Sequence, residues 1–321
     1  MNVTPFHDDS VRQRLLSWYR SAHRKLPWRE THDPYRILVS EVMLQQTQVE
    51  RVIPKYHEFL LLFPDIAALA DAPPSEVIRT WAGLGYNRRA LGLHRTARAV
   101  MELYDGTLPE SVDELKKLPG IGAYTAGAIA CFAYMQDVGF VDTNIRRVLH
   151  RVIAGPEVPE PQMTPRMLEQ AAQEVVPAGD GYMWNQALME LGATICRART
   201  VRCDICPLAS VCRARPTIAQ ALAEQPRRKA APEPRFETTN RYVRGRILDI
   251  LRNADGHGVT VAEIEQLMPD GADRPDAARI ASMLSAMTIE GLVASGATLA
   301  EDAEPYDQPV TVSALRFRLP D

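Results

Sequence analysis

Four cysteines, Cys196, Cys203, Cys206 and Cys212, fall in one short stretch at the spacing C-x6-C-x2-C-x5-C. Thiols this close in sequence can surround one inorganic centre, and four-cysteine sites hold either zinc or an iron–sulfur cluster. Structural zinc sites usually use two short C-x2-4-C knuckles, and here only the middle gap is short. The wide first gap favours a cubane [4Fe–4S] cluster, whose corners lie further apart. Zinc is the alternative, and disulfides are the ordinary reading. The N-terminus, MNVTPFHDDS, has no basic segment followed by an apolar run, so no signal peptide is visible. No stretch approaches 18 consecutive apolar residues. The expectation is a cytoplasmic protein with no membrane association, where thiols stay reduced. A fifth cysteine, Cys131, sits in the apolar run AIACFAY and reads as a core residue.

The body before residue 215 shows almost no strand signal. Helical patterns recur at about 11–23, 34–48, 49–62, 75–82, 87–104, 111–117, 123–134, 143–153, 164–175 and 182–195, with short connections rich in Pro and Gly. Residues 216–240 differ. Pro216, Pro226, Pro232 and Pro234 surround Arg227-Arg228-Lys229, which reads as a linker. Helices at 241–254, 260–268 and 276–291 and an alternating strand at 310–319 then suggest a small winged-helix-like module. Charge is uneven. Residues 1–215 carry 25 Lys+Arg against 24 Asp+Glu, residues 216–250 carry 7 against 4, and residues 251–321 carry 5 against 12. A neutral body neither supports nor excludes a nucleic-acid partner.

Three local patterns carry chemistry. Leu118-Pro119-Gly120-Ile121-Gly122 ends one helix and opens another near Ala123. Gly120 and Gly122 permit unusual backbone angles and close approach, and the free N–H groups beyond them suit a phosphate. The ordinary reading is a helix–helix turn. In Val141-Asp142-Thr143-Asn144, Asp142 stands where an N-cap belongs, and capping is its ordinary role. A carboxylate held ionised at a helix N-terminus could also stabilise a cation. Glu41 shares a helix face with Ile37, Leu44, Gln45 and Gln48. An acid in a half-apolar stripe has a raised pKa and suits general-acid work. A solvated helix glutamate is the plainer reading of that feature alone.

Taken together, Leu26-Pro27-Trp28-Arg29, the Ser40–Gln48 segment, Gly83-Leu84-Gly85-Tyr86, the Gly-x-Gly hairpin, Val141-Asp142-Thr143-Asn144 and the four cysteines resemble the MutY branch of the endonuclease III superfamily of DNA glycosylases. The resemblance runs from about residue 10 to 215. It implies an all-α, two-lobed helix-hairpin-helix glycosylase fold. A six-helix barrel would span 30–137, and a [4Fe–4S] cluster lobe would combine 1–29 with 138–215. A linker at 216–240 and the winged-helix-like module at 241–321 would follow.

The implied activity is hydrolytic removal of adenine mispaired with 8-oxoguanine or guanine, from double-stranded DNA containing mismatches, by a monomer. Glu41 matches the acid that protonates adenine, and Asp142 the carboxylate that stabilises the sugar cation. Tyr124 and Asn144 match residues lining the catalytic pocket. Gln46 and Tyr86 match positions that enter the base stack. Bifunctional relatives that cut the strand carry lysine where this chain has Tyr124, so a monofunctional enzyme is expected. Gln45-Gln46 favours adenine over thymine, uracil or hypoxanthine mispairs, which are the alternative substrates. A non-catalytic iron–sulfur DNA-binding or redox-sensing protein is the alternative of another class. Arg197, Arg199 and Arg202, between the first two cysteines, are expected to clamp phosphate. Three departures stand out. Residues 238–321 do not resemble the larger Nudix-like domain usual in this branch, which puts recognition of 8-oxoguanine in doubt. Asn87 also replaces an aromatic often found after Tyr86, and Thr143 replaces a common glycine.

Overall fold

The computed structural model describes residues 4–225, 235–254, 257–271, 273–297 and 315–321. They form two compact units, Met1–Glu41 with Leu108–Lys229, and Val42–Thr107 with Ala230–Asp321. Among the described residues no helix is long and apolar enough to cross a membrane.

The first unit holds α1 (Asp9–Ala22), most of α2 (Pro34–Leu44), α7 (Val112–Leu115), α8 (Ala123–Phe132), α9 (Thr143–Ile153), α10 (Pro165–Glu174), α11 (Gly181–Thr194) and α12 (Ile218–Glu224). Helix α8 is buried without a break from Thr125 to Phe132, which is why its sequence is apolar on every side. Helix α11 packs on α9 and α1, and Trp184 receives the edge of Phe6 at a centroid distance of 5.6 Å. Glu190 on α11 is fully buried and paired with Arg24 and Arg29, each at 2.8 Å. The Leu26–Arg29 motif thus works as a strap: Trp28 is buried, and Arg29 also donates to Gln186 at 2.9 Å.

The second unit holds α3 (Val49–Leu62), α4 (Ile66–Asp71), α5 (Pro74–Thr80) and α6 (Arg88–Leu103) from the body. From the C-terminal module it holds α13 (Asn240–Asn253), α14 (Val261–Leu267), α15 (Ala277–Ile289), β1 (Ala294–Ala297) and β2 (Leu315–Arg318). The strands pair antiparallel from Ala294↔Arg318 to Ala297↔Leu315, and Val259 bridges to Phe317. Three helices and a two-stranded sheet occupy this stretch, where three helices and one terminal strand were expected. It is not a separate globule. Val243, Ile247, Leu251, Ile280 and Leu284 share one apolar core with Ile78 of α5 and Leu91 of α6.

Local expectations fail at three places. Helix α2 stops at Leu44, not Gln48, so Gln45 and Gln48 leave the face that Glu41 occupies. The physical cause is Arg89. Its Nη1 donates to the carbonyls of Val42, Met43 and Gln45, at 2.8, 2.9 and 2.5 Å. It satisfies the acceptors that a continuing helix would have used. Second, α4 was not anticipated; Asp65 caps it by accepting from the Ala68 N–H at 2.8 Å. Third, α12 lies in the segment read as linker. Its Ile218 is buried against the cysteine cavity, which draws the chain into a helix. Residues 226–234 and 298–314 lie outside the described residues, so the Pro/Arg-rich part of the linker and the first half of the 310–319 strand do too.

Candidate active site

Glu41 sits in the last turn of α2 and is 3% exposed. The Tyr124 hydroxyl, one residue into α8, donates to Glu41 Oε2 at 2.5 Å. Burial pushes the Glu41 carboxyl up to about 7, the nearby Asp142 carboxylate adds to the rise, and the Tyr124 hydroxyl and Arg29 oppose it. The solvated-glutamate reading therefore fails. Burial, reinforced by the Glu41 and Asp142 carboxylates, holds the Tyr124 phenol well above its ordinary value, so it stays a neutral donor.

Asp142 does cap α9. Its Oδ1 accepts from the N–H groups of Asn144 (2.9 Å) and Ile145 (2.6 Å). Capping leaves Oδ2 for the Asn144 amide, which donates at 2.7 Å. Burial raises the Asp142 carboxyl, and these donors, with Arg147, pull it back. The helix cap and the Asn144 amide thus use different oxygens of one carboxylate.

Sequence reasoning passed over Arg147 and Arg151. Arg147 Nη2 donates to Asn144 Oδ1 (2.8 Å) and to the Gly192 carbonyl (2.6 Å), while Nε donates to the Cys196 carbonyl (2.6 Å). It therefore fixes which way the Asn144 amide points and ties that residue to the first cysteine. Gly192 was also missed. A Cβ there would lie 2.6 Å from Cβ of Asn144, so only glycine lets α11 approach α9 this closely. The i, i+4 arginine pair inside a helix that buries most of its length was the available signal.

The four cysteines are free thiols, and all line one cavity whose walls include Val148, Leu191, Ile195 and Leu208. Burial pushes the Cys206 thiol up to about 12, with further push from the other three sulfurs. Arg151 is 1% exposed, donates to Cys196 Sγ at 3.4 Å and pairs with Glu157 at 2.7 Å. Among the described residues no three or more His, Cys, Asp or Glu side chains converge on a single metal ion. Four thiols lining one largely apolar cavity, with a guanidinium on one sulfur, are a donor set of the kind that four-cysteine centres use. The loop from Cys196 is closed by an antiparallel bridge between Cys196 and Val201 and held by Arg151 at the carbonyls of Arg197 and Ala198. Arg197, Arg199 and Arg202 are exposed on it.

In the hairpin, Gly120 has φ 82°, a conformation that favours glycine. Gly122 has φ −91° and ψ 176°, ordinary extended backbone, so the expected special angles hold at only one of the two. A Cβ at Gly122 would meet nothing within 4 Å, and the residue caps α8 with no side chain over the end. In the second unit, Gln46 (φ 56°) and Tyr86 (φ 47°) are both in the left-handed region and both exposed. Such non-glycine outliers cluster at functional sites. Arg89 holds the two loops together: besides the α2 carbonyls it reaches Thr47 Oγ1 (2.9 Å) and the Gly85 carbonyl (3.2 Å). Gln45 and Gln46 are thus displayed by a loop, not by a helix face.

Residues 39–178 match the family described as HhH-GPD superfamily base excision DNA repair protein. The chain is 43% identical over 287 residues to the adenine DNA glycosylase of Mycolicibacterium smegmatis, covering 87% of this chain and 91% of that one. Such coverage necessarily enters the C-terminal module. The human adenine DNA glycosylase is 43% identical over 220 residues, covering 66% of this chain and 40% of that one. A thermostable thymine-DNA glycosylase superposes with a TM-score of 0.61 at 29% identity, over 66% of this chain and 99% of that one. An endonuclease III–DNA complex gives 0.59 at 20% identity, over 68% and 99%, and shares the fold.

Proposed function

The chain belongs to the adenine DNA glycosylases of the helix-hairpin-helix base-excision repair superfamily, and on that premise we propose that it hydrolyses the N-glycosidic bond of adenine mispaired with 8-oxoguanine or guanine in duplex DNA. The observation that carries the reading is the buried Glu41 carboxyl, held near pH 7 and hydrogen-bonded to Tyr124, with Asp142 close enough to raise it further. A base inside a duplex must leave the stack before its sugar bond can be attacked. Glu41, protonated near neutral pH, gives its proton to N7 of adenine and makes it a leaving group. As the bond breaks, positive charge gathers on the sugar, and the Asp142 carboxylate, oriented by Asn144, stabilises it. Water completes the hydrolysis. Tyr124 has no amine to form a Schiff base, so the strand stays intact.

Cys196, Cys203, Cys206 and Cys212 hold a [4Fe–4S] cluster in this reading. When bound, it cross-links a loop that has little core of its own. Arg197, Arg199 and Arg202 on that loop, and the hairpin N–H groups after Gly120 and Gly122, take DNA phosphates. Gln46 and Tyr86 enter the duplex, and Gln45 contacts DNA beside them. The protein works as a monomer.

The test is base release from a duplex panel: adenine opposite 8-oxoguanine, guanine and cytosine, then thymine and uracil opposite guanine, and hypoxanthine. Adenine release opposite 8-oxoguanine or guanine is expected. The likeness to a thymine-DNA glycosylase is the reason thymine is included. Robust thymine or uracil release without adenine release would overturn the assignment, and no release from any duplex would leave a non-catalytic binder.

A further inference from the structure

Glu190 on α11 is a carboxylate with no solvent exposure. Its Oε1 accepts from Arg24 Nε at 2.8 Å and from the Arg24 backbone N–H at 3.3 Å. Its Oε2 accepts from Arg24 Nη2 at 3.0 Å and from Arg29 Nη2 at 2.8 Å. One carboxylate thus holds two guanidiniums. Burial alone would raise the Glu190 carboxyl, but the bonds from Arg24 and Arg29 hold it below its ordinary value, so it is ionised at neutral pH. The mechanism above gives this triad no part.

The two arginines are not equivalent. The Arg24 side chain is 39% exposed, so water screens its charge, whereas Arg29 is 9% exposed. Arg29 is fixed on other sides too. Its Nε donates to Gln186 Oε1 at 2.9 Å and its Nη1 to the Arg24 carbonyl at 3.0 Å. Its guanidinium lies 5.7 Å from the Tyr19 ring centroid. Gln186 and Glu190 stand one turn apart on α11, so a single helix face presents both acceptors to it. Arg29 also acts on the general acid. Burial raises the Glu41 carboxyl, and Arg29 is the one cation among the groups that oppose the rise. The groups facing Glu41 are therefore Tyr124 from α8, Asp142 at the cap of α9, and Arg29. Those facing Glu190 are Arg24, Arg29 and Tyr19 of α1.

Stability is a weak reason for such a triad. A buried arginine–carboxylate–arginine group often holds a fold together no better than apolar residues of the same volume. A carboxylate at position 190 does something an apolar residue would not: it compensates Arg29 where no water can. Without it, an unscreened cation would remain within electrostatic reach of Glu41, with one bond fewer to hold it in place. That field would favour ionised Glu41, the form with no proton to give.

We propose that Glu190 is a positioning residue for base release: it anchors the Arg29 guanidinium on α11 and neutralises it, and so keeps the proton on Glu41. This rests on the adenine glycosylase reading, in which Glu41 is the proton donor. Glu190 works through Arg29, its contact, and not on the reacting atoms.

The test uses the full-length protein and its Glu190→Gln, Glu190→Asp and Arg24→Gln variants. Single-turnover adenine release from a duplex with 8-oxoguanine opposite adenine is measured from pH 5 to 9. In Glu190→Gln the alkaline midpoint should fall from about 7 by roughly one pH unit. Release at pH 8.5 then drops roughly tenfold, while release at pH 5 stays within about twofold. Glu190→Asp, which keeps the charge, should lie closer to the wild type. Arg24→Gln removes a charge that water already screens and should not lower the midpoint. An unmoved midpoint in Glu190→Gln, with equal losses at every pH, would make the residue a strut only and overturn the inference.

A second readout needs no base release. The pH window over which Glu41→Gln gains stability on its parent, followed by denaturant melts, closes at the folded value of Glu41. It should close roughly one pH unit lower in the Glu190→Gln background. Should Glu190→Gln fail to fold, the double variant Arg29→Gln with Glu190→Gln buries no unpaired charge. Its window should close above that of the wild type, and closure at or below the wild-type value overturns the inference. A wild type that releases adenine from no duplex sinks the activity reading, and the stability window then judges Glu190 alone.

Discussion

The Tyr124 hydroxyl and Glu41 Oε2 are 2.5 Å apart, and this one contact both places the acid and tunes it. Burial raises the Glu41 carboxyl to about 7; the phenol, a donor to the ionised form, restrains that rise. Base release should therefore be high below pH 7 and fall above it as Glu41 loses its proton. Tyr124→Phe removes the restraint, so the alkaline fall-off should move to higher pH. Single-turnover rates across pH 5.5–9 read this out. A profile that is unchanged in Tyr124→Phe would detach the phenol from the titration.

The same shift predicts a stability signature. A carboxyl raised by folding contributes stability that is fully present below its unfolded pKa and is lost as pH rises through its folded value, here about 7. Glu41→Gln cannot ionise. From about pH 4.5 to about pH 7 it should gain on the wild type at a slope approaching ~1.4 kcal/mol per pH unit, and the difference should be flat below and above that window. Denaturant melts at pH 5 and 8.5 measure it. The same variant should lose base release at every pH while still binding duplex, and turnover near the wild-type rate would remove Glu41 from its role.

Much of this was legible in the chain, for identifiable reasons. The four cysteines, the Asp142 cap and most helix bounds depend on residues close in sequence. The stop of α2 at Leu44 depends on Arg89, far along the chain, and no local pattern announces it. The ordering of Asn144 by Arg147 likewise needs the α9–α11 contact that Gly192 permits. The Glu41 environment was ambiguous because a helix stripe with one acid reads alike on a solvated face and in a buried pocket. The cavity that Tyr86 and Arg241 both line joins residues about half the chain apart, and no local pattern announces it.

Gly192→Ala tests the approach of α9 and α11. The added Cβ would sit 2.6 Å from Cβ of Asn144 and 2.9 Å from its Cα. Backbone must give way, at a cost of about 1–3 kcal/mol. The displaced atoms belong to the residue that orients Asp142, so kcat should fall more than the melting temperature alone would suggest. Adenine release and thermal melting of the same preparation separate the two effects.

Cysteine replacement tests the metal centre. Cys203→Ser removes one of the four thiols lining the cavity, and the loop carrying Arg197, Arg199 and Arg202 loses an anchor. Wild-type protein should be brown and contain about four irons per chain. The variant should be paler, less soluble and weaker on DNA. Its salt dependence of binding should also flatten as phosphate contacts are lost. A colourless wild type carrying one zinc would refute the cluster.

Arg147 joins that loop to Asn144, which holds Asp142, so its removal should be felt at both ends. Arg147→Ala leaves Asn144 Oδ1 and the carbonyls of Gly192 and Cys196 without their donor in a buried setting. The expected destabilisation is about 2–4 kcal/mol. With Oδ1 unclaimed, the Asn144 amide can turn away from Asp142 Oδ2, and the carboxylate loses the contact that orients it in the proposed mechanism. Base release should then drop in kcat with little change in duplex affinity. Arg147→Lys, which offers one point charge in place of a fork, should restore stability better than rate. Equal recovery of both by lysine would mean that charge alone, and not the alignment of Asn144, is what Arg147 supplies.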